Sequence, residues 1–482
     1  MIRGNARPNG KILTTTGLSF RLYRIKERIL LFFGEHNLLS RRSFPYWTGA
    51  KPVFALKNFL LIVLLLLLLI TSPAVSAETL QDAWKIALSV DNRVRASHKT
   101  TQSFEQTLAA AKAARLPSLG LGSGYTILNH EPTAKFTGPS LGATEIPTAE
   151  DRSFYFNTTA TLPLYTSGLI SSGIDAAHAE LNASVHDEAK TVLDVKLSVG
   201  QAYVDVLRSK RLVDVAESNV ASLSAHETDV ANFYDQGVVT KNDLLASQVS
   251  LADARQRLLQ TMNSLDLARA AYNRLLGRPL NQEVQIDDIS AQPVKRDLQE
   301  LTSDALKKRP ELATLSEQAK ALEYQAAGTR SSVYPQIELS GGYNYQQNKY
   351  MVFQGLWSAT MGLKWDIFDG GVARHNANAL LQKSDAIVNL RADTASVITL
   401  QVRQAWLDLD ETLKRIQVTH DALAQAEENL RVTNDRYREG VGTNTEVLDA
   451  ETLRTRSHSN YYNAVYDAVL ARIHVQYATG EL

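Results

Sequence analysis

The sequence predicts a mainly α-helical chain with a membrane β-barrel contribution, built as two tandem repeats that each hold long coiled-coil helices and two strands. Three observations predict it. The chain repeats itself at a fixed offset, its longest segments carry apolar residues at heptad spacing, and the segments between them alternate apolar and polar residues.

The repeat comes first. A shift of 203 residues lays Gly168 on Gly371, Gln201-Ala202-Tyr203 on Gln404-Ala405-Trp406, Tyr234-x-x-Gly237 on Tyr437-x-x-Gly440, and Leu245 on Leu448. Upstream, Ala110–Tyr125 resembles Ala326–Tyr343 with Pro117 opposite Pro335, at a different shift because the loops between differ in length. The expected organisation is an extension and leader over 1–77, one repeat over 78–280, a linker over 281–300 and a second repeat over 301–482.

The helices follow from period. Positions 195, 199, 202, 206, 209, 213, 216, 220, 223, 227, 230 and 234 alternate spacings of three and four, and only Ser209 and Glu227 break an apolar series. The equivalents up to 437 repeat it, interrupted by Thr412, Thr419 and Thr433. Such a sustained seam predicts coiled-coil packing rather than a globular helix. The expected long helix Leu169–Gln236 would span roughly 100 Å. A helix over Thr79–Leu116 and another over Asp243–Leu276 would together flank it end to end, making a rod or tube.

The strands follow from alternation. Leu119, Leu121 and Tyr125 alternate with Gly120, Gly122 and Gly124; Phe154 to Leu164, Ile337 to Gln346 and Trp357 to Ile367 behave alike. Ten-residue alternation is the mark of a transmembrane strand, with Tyr343, Tyr345, Trp357 and Trp365 suited to aromatic girdles. Two half-buried hairpins of a soluble sandwich would alternate too. Lipid tolerates no open sheet edge, and barrels have eight strands or more, so four strands must be completed by other copies. Twelve strands from three copies leave an open lumen, which favours a trimer over a dimer. The long loop Asn129–Arg152, rich in proline and glycine, would then face outward.

Composition excludes more than it assigns. The chain has 51 basic and 51 acidic residues, so nothing points to nucleic acid. Residues 1–77 hold 11 Lys/Arg against 2 Asp/Glu, leaving the remainder acidic. With no cysteine there is no disulfide and no lipid anchor on sulfur. The apolar run Phe59–Ile70, preceded by Lys51 and Lys57 and followed by small residues to Ala77, predicts a secretory signal cleaved after Ala77. A permanent membrane helix is the alternative, and usually needs about 20 apolar residues. No zinc, calcium or phosphate-loop motif is present, no catalytic constellation can be read out, and neither cofactor nor metal is expected. His178 and His186, eight apart on one helix, are the nearest thing to a metal pair.

The turns at Gly237 and Gly440 carry the candidate site. Each follows a helix end at a glycine able to take the left-handed conformation, and Thr240-x-x-Asp243 and Thr443-x-x-Glu446 read as capping boxes. Capping explains Asp243 and Glu446; Asp449 lies one turn beyond Glu446 on the same face and is not explained by it. Lys241, Arg436 and Arg438 lie nearby, as solvated charges or as ties between helices.

The tandem repeat, the paired strands, the junctions Leu-Pro-Leu-Tyr-Thr-Ser-Gly and Asp-Ile-Phe-Asp-Gly-Gly, and the doubled Tyr-x-x-Gly segments resemble the TolC-type outer-membrane factor family over 78–482. The resemblance implies a homotrimer with a twelve-stranded barrel in outer-membrane lipid, continued by an α-helical periplasmic barrel. It implies a passive export duct for drugs, toxic compounds, metal ions or secreted proteins (type I secretion). Its partners would be a periplasmic adaptor and an inner-membrane transporter of RND, ABC or MFS type. It also implies that acidic residues at positions matching Asp243, Glu446 and Asp449 ring the periplasmic entrance and favour cations. By the same analogy Val238, Val239, Val441 and Gly442 are exposed adaptor contacts. The competing reading is a non-channel periplasmic coiled-coil scaffold held in the inner membrane by an uncleaved Phe59–Ile70.

Overall fold

The computed structural model describes residues 77–138 and 142–482. The expected leader, apart from Ala77, and Pro139 of the long loop lie outside the described residues. In chain order the elements are α1 (Leu80–Val90), α2 (Asn92–Ala113), β1 (Ser118–Ile127), β2 (Thr133–Gly138), β3 (Gly142–Pro147), β4 (Arg152–Tyr165), α3 (Leu169–Asp235) and α4 (Lys241–Leu275). They continue with α5 (Leu298–Lys308), α6 (Pro310–Ser331), β5 (Gln336–Gln346), β6 (Gly355–Lys364), α7 (Val372–Arg438) and α8 (Asn444–Ala478).

The repeat is visible to the residue. Both α3 and α7 have 67 residues, both α4 and α8 have 35, and a shift of 203 superposes all four sets of helix ends. The heptad seam is the buried stripe: Val195, Val199, Val206, Val213, Leu223 and Val230 on α3, and Ile398, Val402, Leu409, Ala426, Leu430 and Tyr437 on α7. Against each long helix packs its own return helix, α4 on α3 and α8 on α7.

Midway along, short helices clamp these pairs. Ala83 and Ala87 of α1 join Val195, Val199, Tyr203, Tyr272 and Leu276 in one cluster, and Leu301 and Ala305 of α5 join Ile398, Val402, Leu409 and Val475 in another. Burying each valine, leucine or isoleucine of these clusters stabilises the fold by about 1.5–3 kcal/mol. The Tyr203 hydroxyl donates to the carbonyls of Glu78 and Asp287, at 2.8 and 2.7 Å, tying the start of the described chain and the connecting segment into this belt.

Three expectations need correction. The helix expected over Thr79–Leu116 is broken at Asp91, which ends α1 in extended conformation and caps α2 by accepting from Arg93 N at 2.7 Å. Arg309 breaks the second copy in the same place, with Pro310 at the first position of α6, where its missing N–H costs nothing. The long loop holds a hairpin, β2 with β3, because Ala134, Phe136, Thr144 and Ile146 supply a short alternating pair that proline and glycine punctuation obscured. Trp365 falls one residue past the end of β6.

The four remaining strands form one antiparallel sheet in the order β1-β4-β5-β6. Its register places Leu119, Ala160, Gly341 and Ala359 in one row of the apolar face, and Leu121, Thr158, Tyr343 and Trp357 in the next. The opposite face carries rows such as Ser118, Thr161, Ser340 and Thr360. At one end of the apolar face the Tyr343 and Trp357 rings pack at a tilt of 49° with centroids 5.1 Å apart, and Tyr345 donates its hydroxyl to Gln354 Oε1 at 3.0 Å. Trp365 lies at the other end, beside exposed Ile367 and Phe368. The aromatic residues thus occupy two levels, separated by an aliphatic band. Among the described residues β1 and β6 each keep one unpaired edge.

Candidate functional site

Both turns are built the same way. Gly237 and Gly440 each have φ of 74°, a left-handed conformation that costs glycine nothing and other residues about 1 kcal/mol or more. Gly237 N donates to Tyr234 O at 2.9 Å and Val238 N to Phe233 O at 2.8 Å, the double bond of a Schellman cap. Gly440 N to Tyr437 O and Val441 N to Arg436 O, both 3.0 Å, reproduce it. Each return helix then opens with a complete capping box, Thr240 with Asp243 and Thr443 with Glu446.

The three carboxylates differ in their freedom. Asp243 Oδ2 accepts from the backbone N and the hydroxyl of Thr240, at 3.1 and 2.7 Å. Glu446 Oε2 accepts from Thr443 N at 3.2 Å, with Arg436 Nη1 at 4.0 Å. Asp449 is exposed and, among the described residues, has no hydrogen-bond or ion-pair partner. A residue shift of 203 puts Ala246 in its place in the first repeat, so this carboxylate has no counterpart there.

The structure brings the two turns side by side. Val230, Leu430, Tyr437, Val447 and Ala450 form one buried cluster, with Phe233, Val239 and Leu244 against it. Val239 is therefore half-buried rather than an exposed contact, because the first turn folds it onto that cluster. Gly442 is half-buried too, since a Cβ there would lie 3.0 Å from Tyr437 N. Val238 and Val441 remain exposed. Arg438 does tie helices together, reaching Asp229 of α3 at 3.3 Å, whereas Arg436 stays on its own hairpin and Lys241 has no partner among the described residues.

Sequence reasoning missed the polar link beneath the turns. Asn444, the first residue of α8, is buried; its Oδ1 accepts from His226 Nε2 at 2.7 Å and Ser247 Oγ at 3.0 Å, and its Nδ2 donates to Asp243 O at 3.0 Å. One side chain thereby joins α3, α4 and α8. Two turns further up, the buried Glu451 carboxylate accepts from Ser222 Oγ and pairs with Arg454 at 3.1 Å. The Tyr437 phenol is pushed up, first by burial and then by the Asp243 and Asp229 carboxylates, so it stays neutral. A usable signal was present in the repeat: Asn444 and Glu451 replace Lys241 and Gln248, and a repeat that changes chemistry at matched positions changes neighbours there. His178 contacts Asn182, and among the described residues no cluster of His, Cys, Asp or Glu fits a metal ion.

Residues 84–278 and 301–481 match the family model described as outer membrane efflux protein. The chain belongs to that family. It is 22% identical over 435 residues to outer membrane protein TolC of Vibrio cholerae, a match covering 85% of this chain and 92% of that protein. It is 22% identical over 427 residues to the alkaline protease secretion protein AprF of Pseudomonas aeruginosa, covering 84% of each. The crystal structure of the outer membrane protein VceC from Vibrio cholerae superposes with a TM-score of 0.70 at 18% identity, over 83% of this chain and 96% of that one. The fold is that of this outer membrane protein. As an outer membrane efflux protein the chain is a transport protein of the outer membrane and its periplasmic side, not an enzyme.

Proposed function

We propose that three copies of this outer membrane efflux protein close into one duct: a twelve-stranded barrel in the outer membrane continued by a helical tunnel that ends at the Gly237 and Gly440 turns. The observation that carries this reading is the sheet. Its four strands present a continuous apolar face bounded by aromatic residues, yet among the described residues both edges are open, and an open edge in lipid leaves backbone groups unsatisfied at several kcal/mol each. Completion by further copies removes that cost.

The duct is passive. An inner-membrane pump would supply energy and select cargo, small molecules or a secreted protein, and an adaptor would dock at the exposed Val238 and Val441. In the trimer, Asp243, Glu446 and Asp449 would supply up to nine carboxylates at the tunnel's end, and their summed field favours cations. Asp449 contributes most per residue because nothing local neutralises it. The test is reconstitution: purified protein is expected in outer-membrane fractions, as crosslinkable trimers, with cation-selective conductance in planar bilayers. Inner-membrane fractionation without conductance would instead support the scaffold.

A further inference from the structure

The two ends of the sheet differ in charge. At one end loops join the strands to one another; at the other all four strands run into helices, with Ser118 opening β1, Tyr165 closing β4, Gln336 opening β5 and Lys364 closing β6. The loop end, 128–151 and 347–354, carries Glu131, Glu145, Glu150 and Asp151 against Lys135 and Lys349. The helix end, 112–117, 166–172, 330–335 and 364–374, reverses the balance. It carries Lys112, Arg115, Arg330, Lys364 and Arg374 against Asp366 and Asp369.

The helix end is also where large apolar side chains stand clear of the protein. A bulge between Pro163 and Tyr165 sets Tyr165 opposite Ile337, which pairs with Leu363, so Tyr165 closes the last row of the apolar face. Beyond that row Trp365, Ile367 and Phe368 are exposed, Phe368 by 89%. The turn that carries them is fixed. Asp369 accepts from Gly371 N and Ala373 N, both at 2.7 Å, and Gly370 and Gly371 take φ of 69° and 86°.

Two of the basic residues have local partners: Lys364 pairs with Asp366 at 3.8 Å, and Arg330 bonds Asn378 at 3.1 Å. Lys112 and Arg115 are exposed, with no side-chain partner among the described residues, and gain only from the C-terminal end of α2. Arg374 lacks even that. It is exposed and unpartnered among the described residues in the first turn of α7, the end where the helix dipole disfavours a cation. An anion from outside the chain would offset that cost.

From this juxtaposition we propose that the helix end of the sheet is a seat for anionic phospholipid. Lys112 and Arg115 at the β1 edge and Arg374 at the β6 edge meet headgroup phosphates, while Trp365, Ile367 and Phe368 lie against the first carbons of the chains. The inference rests on the reading that the apolar face lies in lipid, and adds a headgroup chemistry to one leaflet. A guanidinium offers a phosphate two parallel N–H donors, and an indole suits the boundary between chains and headgroups. The acidic loop end would repel the same headgroup, so the selection is one-sided.

Because the chain has no cysteine, an introduced thiol takes a label at one place only. Full-length Phe368→Cys protein carrying a bimane is reconstituted into phosphatidylcholine vesicles with a nitroxide-chain lipid, either phosphatidylglycerol or phosphatidylcholine. Quenching by the labelled phosphatidylglycerol is expected to exceed that by the labelled phosphatidylcholine about threefold, and to lose this lead as salt rises. Adding Lys112→Gln/Arg115→Gln/Arg374→Gln should make the two equal, whereas Lys135→Gln/Lys349→Gln at the loop end should leave the preference unchanged. Equal quenching by both lipids without those substitutions would overturn the headgroup selection. A Met361→Cys label in the apolar band separates the remaining failures. Quenching at Met361 but not at Phe368 means that protein covers the collar, which overturns the seat alone; no quenching at either position overturns the membrane reading as well.

Discussion

At the first turn the return helix begins with Lys241, exposed and unpartnered among the described residues; at the second the same position holds Asn444, buried and bonded to His226, Ser247 and the carbonyl of Asp243. Two residues on, both turns carry their capping acid, Asp243 or Glu446. One turn beyond that the first has Ala246 and the second Asp449. The comparison separates two layers of design. Glycine, threonine and the capping acid set the backbone and recur; the residues that link helices or present charge are free to differ, and they differ because the second turn packs under a neighbouring hairpin.

The largest effect that would break this contrast is at the link. Asn444→Ala strands the buried His226 donor and is expected to cost about 2–3 kcal/mol, whereas Lys241→Ala should stay within about 0.5 kcal/mol. Denaturation midpoints of detergent-purified protein measure both, and equal losses would show that Asn444 is not a link. The shared backbone predicts matched losses. Gly237→Ala and Gly440→Ala should each cost about 1 kcal/mol, and so should Thr240→Ala and Thr443→Ala. A large difference between the two turns in the same assay would mean that neighbours rather than local geometry hold them. The smallest effect is electrostatic. Asp449→Asn removes about a third of the proposed ring's charge and should lower cation preference about threefold, with Ala246→Asp raising it. Unchanged reversal potentials in single-channel recordings would remove Asp449 from the selectivity ring.

The heptad series on α3 and α7 was legible because burial there is periodic and apolar: Val195 to Val230 and Ile398 to Tyr437 are the seam that spacing alone indicates. The turns were legible because glycine and a threonine–acid box encode caps within a few residues. What could not be read is the second covered face of α3. Asn219 and His226 look like solvated polar positions, and it is the second repeat, more than two hundred residues away in sequence, that covers them: Thr455 of α8 bonds Asn219, and Asn444 of α8 and the Tyr437 ring of α7 meet His226. The half-burial of Val239 has the same origin. The β2–β3 hairpin escaped because its alternation is short and sits among turn-forming residues.

The belt at mid-length has a mechanical consequence. It grips α3 near Val195–Val213, and from there the helix runs to Asp235 without a proline to interrupt it, an arm of roughly 33 Å that moves together with the helices packed on it. A tilt of about a tenth of a radian about that grip would swing the turn by about 3 Å while every hydrogen bond of the helix stays closed. In the proposed duct the aperture at the far end would therefore be geared to an angle at the waist, and would widen or narrow with no turn of helix melting.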